Sequence, residues 1–197
     1  MSKLRGKIGL GILVAGLSTL LTVTPAQAAY ANNSGAYGTT FVDGDDSLTD
    51  DFGDHFEELG NSLCYGCSES SNTDIVMLWQ SILAAEHLME PYDIDGYFGA
   101  QTKAATITWQ KRYDLTADGW VGDATWSKAD DRLEWSGSAV RYKSGGLFGF
   151  VELHRGDTSK YHDGGAYHLH KVMQGDGVYV FETGTRIYHR SKTISHY

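Results

Sequence analysis

The chain has 197 residues and a formal net charge of −9, a length that suits one or two small domains rather than a large multidomain enzyme. Hydrophobic residues make up 41% and charged residues 21%, with 24 glycines against 2 prolines. That balance fits a globular chain rich in tight turns and excludes wholesale disorder, a collagen-like repeat and a multi-spanning membrane protein.

Lys3, Arg5 and Lys7 precede an apolar run from Ile8 to Val23 and the small-residue pattern Ala26-Gln27-Ala28. This is the pattern of a cleaved secretory signal over residues 1–28. The run is interrupted by Gly9, Gly11 and Gly16 and falls short of the ~18–20 apolar residues that span a bilayer. The expected product is a secreted, extracellular or wall-associated chain without stable membrane insertion. Cleavage removes three cations and takes the charge from −9 to −12, which argues against nucleic acid as a partner. The remaining charge is uneven. Residues 29–135 hold 20 acidic and 5 basic side chains, whereas residues 136–197 hold 5 and 8.

Residues 29–72 read as an acidic flexible linker. Eight acidic residues fall between Asp43 and Glu58 with no lysine or arginine, a composition too polar to offset its own ordering entropy. Phe52, His55, Phe56 and Leu59 allow a short helical turn within it. Cys64 and Cys67 close this stretch as Cys-Tyr-Gly-Cys. After an export signal the first expectation is a disulfide that pins a turn ahead of the next element.

Residues 73–135 change character. Ser71-Asn72-Thr73-Asp74 is a cluster of helix-starting residues, followed by a helix whose Ile75, Val76, Leu78, Trp79, Ile82 and Leu83 recur at helical spacing and which continues to Met89, ending before Pro91. A second helix is expected over Ala100–Tyr113 after Gly99, and a third around Asp123–Leu133. Three helices of this size, with Trp79, Trp109 and Trp126 to pack, make a small bundle. Residues 136–197 alternate in β fashion over Ala139–Lys143, Leu147–His154, Ala166–Val172 and Val178–Glu182, with Arg186–His189 as a fifth run, separated by glycine-bearing turns. The expected fold is α+β: a three-helix bundle followed by a small antiparallel β meander of four or five strands, either a small barrel or a sheet packed on the bundle.

An internal echo recurs after 23 residues: Asp95-Gly96-Tyr97-Phe98-Gly99-Ala100-Gln101-Thr102 and Asp118-Gly119-Trp120-Val121-Gly122-Asp123-Ala124-Thr125. Asp-Gly suits a tight turn, the apolar fourth residue can plug the core, and the second glycine admits the chain to the next helix. Val76, Trp79-Gln80, Leu83, DGYFGAQT, Ala105, Trp109-Gln110, Leu115, DGWVGDAT and Trp126 together resemble the peptidoglycan-binding domain 1 family over about 55 residues, Val76 to Asp130. The chain departs from that pattern at Trp79 and Trp109, where Leu and Phe are usual, and at Asp114, where glycine commonly precedes leucine. The resemblance implies a three-helix module that holds secreted proteins on bacterial cell wall, with peptidoglycan as partner and a Gram-positive source. Asp95, Tyr97, Thr102, Asp118, Trp120 and Thr125 are the candidate ligand-binding residues. The aspartates and glycines suit turn formation, and Tyr97 and Trp120 suit stacking on sugar rings.

Six of the eight histidines lie in the β unit, and His168-Leu169-His170 puts two imidazoles on one strand face. That spacing suits zinc and resembles the HLH element of lysostaphin-type endopeptidases. The upstream HxxxD of that family is not matched, since His154-Arg155-Gly156-Asp157 is one residue short. Ser159 to His168 resembles only loosely the segment of zinc D-Ala-D-Ala peptidases. His154, His162 and Glu152 could complete a zinc set with His168 and His170. The sequence therefore reads as a non-catalytic wall-binding protein needing no cofactor. Its alternative is a zinc-dependent peptidoglycan hydrolase using the HxH site.

Overall fold

The computed structural model describes residues 42–44, 47–52, 63–67, 73–146, 148–156, 165–181, 186–188 and 192. The export signal expected over residues 1–28 lies outside them. Three helices, α1 (Asp74–Ala85), α2 (Ala100–Arg112) and α3 (Asp123–Asp130), are followed by strands β2 (Leu133–Ser136), β3 (Ala139–Lys143), β4 (Phe150–Arg155), β5 (Gly165–Gln174) and β6 (Gly177–Val180). A two-residue strand, β1 (Asp43–Gly44), precedes the helices. The fold is α+β, as the change of hydrophobic period predicts.

The five strands after the helices form an antiparallel meander in which each pairs with its predecessor, and β1 joins the start of β5. They make a sheet rather than a barrel, and its inner face packs on α1. Val140, Tyr142, Val151, Leu153, Tyr167, Leu169 and Val172 point inward and share one core with Ile75, Leu78, Trp79, Ile82 and Leu83. Trp79 stands edge-on to both Trp109 and Trp126, with centroids 5.1 and 5.4 Å apart, a favoured arrangement for aromatic pairs.

Three expectations are corrected. The spacing on α1 predicts an amphipathic helix, but all twelve of its residues are buried, because the other helices cover one side and the sheet covers the other. Its polar residues are accordingly partnered: Ser81 donates to the Met77 carbonyl at 2.7 Å, and Asp74 accepts from the Tyr188 N–H at 3.1 Å. The third helix stops at Asp130, and Leu133 already belongs to β2. Leu133-Glu134-Trp135-Ser136 lacks a turn signal before it, so the strand is masked by the helix it follows. Of the expected fifth run, Arg186–His189, the described residues form no named strand but pair with their neighbours: Arg186 bridges His168, the Ile187 N–H donates to the Tyr167 carbonyl at 3.0 Å, and the Val42 N–H donates to the Ile187 carbonyl at 2.8 Å.

The acidic stretch also differs from a free linker over its described part. Val42 and Phe52 are core residues, and buried Asp51 accepts from Arg155 at 2.9 Å and from the Tyr167 hydroxyl. Phe52 stands edge-on to Trp126 and Tyr167. Polar composition predicts solvation, yet the anchors Val42 and Phe52 and one buried ion pair tie the described residues of this stretch to the sheet. Cys64 and Cys67 are joined by a disulfide with Cα atoms 5.4 Å apart, and the Leu63–Val121 bridge fixes that turn to the segment before α3.

Candidate functional site

The two copies of the repeat fold into the same device, each organised by one buried glutamine on the preceding helix. Gln80 Oε1 accepts from the N–H groups of Asp95 (3.0 Å) and Gly96 (2.8 Å). Its Nε2 donates to Asp95 Oδ1 (2.8 Å), the Tyr97 carbonyl (3.1 Å) and Thr102 Oγ1 (3.2 Å). Gln110 repeats this on the second copy. Its Oε1 accepts from the Gly119 N–H (2.9 Å), and its Nε2 donates to Asp118 Oδ1 (3.1 Å), the Trp120 carbonyl (2.8 Å) and Thr125 Oγ1 (3.2 Å). An amide side chain is suited to this because it offers donors and an acceptor at one end.

The aspartates close the turns themselves, accepting from the N–H two residues on: Tyr97 to Asp95 at 2.8 Å and Trp120 to Asp118 at 2.9 Å. Gly96 and Gly119 both sit at φ +77°, and a Cβ at Gly119 would also press on Lys103 and Ile107. Only glycine fits without strain. Phe98 and Val121 plug the core beneath, at 2% and 0% exposure.

Six residues are candidates for ligand contact, and the structure divides them. Thr102 and Thr125 are buried and engaged with the glutamines. Asp95 and Asp118 are exposed, but each spends a carboxylate oxygen on its turn. Tyr97 and Trp120 point outward, each half exposed at 50%. The repeat thus presents one aromatic face per copy from a turn whose backbone is fixed. Tyr65, 54% exposed, sits in the disulfide turn that the Leu63–Val121 bridge carries alongside the second copy. Sequence reading treats that turn as purely structural and misses Tyr65. The available signal is an aromatic inside a two-residue disulfide loop.

A second polar centre joins helices to sheet. Glu86, buried just beyond α1, accepts from Tyr113 (2.5 Å), Tyr142 (2.6 Å), the Gly145 N–H (3.0 Å) and Arg112 (2.6 Å). Burial opposes its ionisation, but these hydrogen bonds outweigh it and leave the carboxyl below its ordinary range. Burial, then Glu86 itself, pushes both tyrosine hydroxyls up. The Trp109 indole N–H donates to Tyr142 at 3.1 Å, so the tryptophan that replaces the usual Phe carries the helices' end of this link.

On the outer face of the sheet, Glu152 and His154 of β4 meet His170 of β5. One ligand atom from each lies within 4.8 Å of the others. A bulge creates the meeting: Glu152 pairs with Lys171 and Leu153 with Leu169, which leaves His170 as the inserted residue. The His154 and His170 rings stack with centroids 4.9 Å apart. Glu152 Oε2 accepts from Arg141 Nε and Nη2, at 2.9 and 2.6 Å, and Oε1 from Lys171 at 2.9 Å. Burial raises the Glu152 carboxyl, and the two cations more than reverse it. Burial, and then the neighbouring His170, lowers His154.

The HxH reading is therefore revised. His170 belongs to this cluster, His154 and Glu152 complete it, and His168 does not. His168 is buried at 3% exposure one cross-strand pair further on, beside its bridge to Arg186. His162 lies outside the described residues. Among the described residues no helix is long and apolar enough to cross a membrane.

No curated protein and no solved structure matches the chain. Residues 72–128 match the family model described as "Putative peptidoglycan binding domain". That span contains α1, α2, most of α3, both glutamine-pinned turns and all six candidate residues, so it is the helical unit of this chain that is similar to the peptidoglycan binding domain family.

Proposed function

We propose that the protein is a secreted, non-catalytic wall-associated binder that rests on peptidoglycan through Tyr97 and Trp120. The observation that carries this reading is the duplicated turn: two buried glutamines hold the same backbone twice, and each copy turns its aromatic residue outward. A half-exposed ring on a fixed turn loses little conformational freedom when a sugar's C–H face stacks on it. The paired aspartates and threonines act in this reading by holding the turns, with the free oxygens of Asp95 and Asp118 available at the rim for glycan hydroxyls. The export pattern of residues 1–28, with the small-residue site Ala26-Gln27-Ala28 at its end, supports delivery to the outside, where the Cys64–Cys67 disulfide persists.

The alternative reading, a zinc-dependent peptidoglycan hydrolase, draws on the Glu152, His154 and His170 cluster. Co-sedimentation of the secreted chain with insoluble sacculi separates the two. Protein in the pellet with no soluble muropeptides released is the expected result. Fragments that disappear with a chelator would replace this reading with the hydrolase, and no pelleting would remove wall binding altogether.

A further inference from the structure

We propose that Glu152, His154 and His170 form a binding site for a borderline divalent transition ion such as Zn2+, spanning β4 and β5 on the outer face of the sheet. Two imidazoles and one carboxylate are a donor set that such ions favour. Their ligand atoms, within 4.8 Å of one another, need to close by at most about 1.5 Å to reach the ~3.3 Å spacing of tetrahedral ligands held about 2.05 Å from the ion. Side-chain rotation supplies that, because the two histidines are only partly buried and stand on a solvent-side face.

Two further features point to a ligand. His170 Nδ1 is buried with no hydrogen-bond partner, and Nε2 stops 3.8 Å from Glu152 Oε1, beyond hydrogen-bond distance. Buried polar nitrogens are normally satisfied, and an ion held through Nδ1 would supply the missing interaction. Arg141 holds Glu152 through Oε2 alone, fixing the carboxylate as an outer partner does around a metal, so Oε1 is the oxygen for the ion. Lys171 occupies that oxygen at 2.9 Å and is the group the ion displaces. The site would clamp β4 to β5 at their bulge, and it stands whether or not the helical unit binds peptidoglycan.

Titrating Zn2+ into the metal-stripped full chain, with bound metal counted after desalting, tests this. One equivalent retained is expected. His154→Ala and His170→Ala should each weaken binding by more than about tenfold, the scale reached by lesser, outer partners of a metal. Lys171→Met removes the competing ammonium while leaving all three donors, and should hold zinc at least as tightly as the unaltered chain. Zinc retention no greater than that of the His154→Ala/His170→Ala double variant would overturn the site, as would loss of zinc in Lys171→Met.

Discussion

The helical unit and the contacts that bind it to the rest of the molecule solve the same problem over different ranges of chain. Within the helices, Gln80 finds partners 15 to 22 residues away and Gln110 finds them 8 to 15 residues away. Between helices and sheet, Glu86 reaches Tyr142 and Gly145 across 56 and 59 residues, and between the segment before the helices and the sheet, Asp51 reaches Arg155 and Tyr167 across 104 and 116. Local pairing makes a motif that can be duplicated and recognised; distant pairing makes a joint. The joint concentrates charge where the bundle's own surface would otherwise be exposed, and it lets α1 be buried on every side.

Breaking the joint should cost most. Glu86→Ala strands Arg112, two tyrosine hydroxyls and the Gly145 N–H, and a loss of about 3–5 kcal/mol in denaturant unfolding is expected, typical of removing one partner from a buried charged network. The same carboxylate sets an acid limit. Its folded pKa lies below its unfolded value, so its contribution is fully present above the ordinary carboxylate range and disappears as pH falls through the lowered folded value. Unfolding midpoints measured from pH 7 downward should therefore fall on the acid side, and Glu86→Gln should flatten that part of the profile.

The repeat should show smaller and matched effects. Gln80→Ala and Gln110→Ala each leave turn N–H and carbonyl groups without their partner, for about 2–3 kcal/mol apiece. The two values should agree within about 1 kcal/mol. A large inequality in melting experiments would mean that the copies are not equivalent devices.

These expectations also separate what the sequence discloses from what it does not. The Asp-Gly turns, the plugging residues Phe98 and Val121, and the helices are legible because their causes lie within a few residues of one another. Gln80 and Gln110 are visible in the motif, but their reach to Thr102 and Thr125 emerges only when helix and turn are set side by side. β2 is hidden by its adjacency to α3. Val42, Asp51 and Phe52 look like solvated linker because the residues that hold them, Trp126, Arg155 and Tyr167, are distant in the chain. For the sheet cluster, HxH spacing correctly marks His170 but selects His168 beside it. The bulge that brings His170 to Glu152 and His154 has no signature in the alternation of β5.

Asp114 sharpens the comparison at finer scale. It stands where the family usually has glycine, and it adopts φ +56°, the left-handed region that an L-residue occupies at a cost. Asp114→Gly should raise stability by roughly 0.5 kcal/mol, read as a small increase in the unfolding midpoint. The smallest expected effect on stability comes from Tyr97→Ala and Trp120→Ala. These exposed rings should change it by no more than about 0.5 kcal/mol, although in the proposed reading they carry the binding.

That contrast makes the most direct test of the central claim a sacculus co-sedimentation of the unaltered chain beside the Tyr97→Ala/Trp120→Ala double variant, with their unfolding midpoints recorded. The expected result is that the unaltered chain pellets with the wall while the double variant stays in the supernatant at an essentially unchanged midpoint. Equal pelleting of the two would contradict the assignment of wall contact to these two turns.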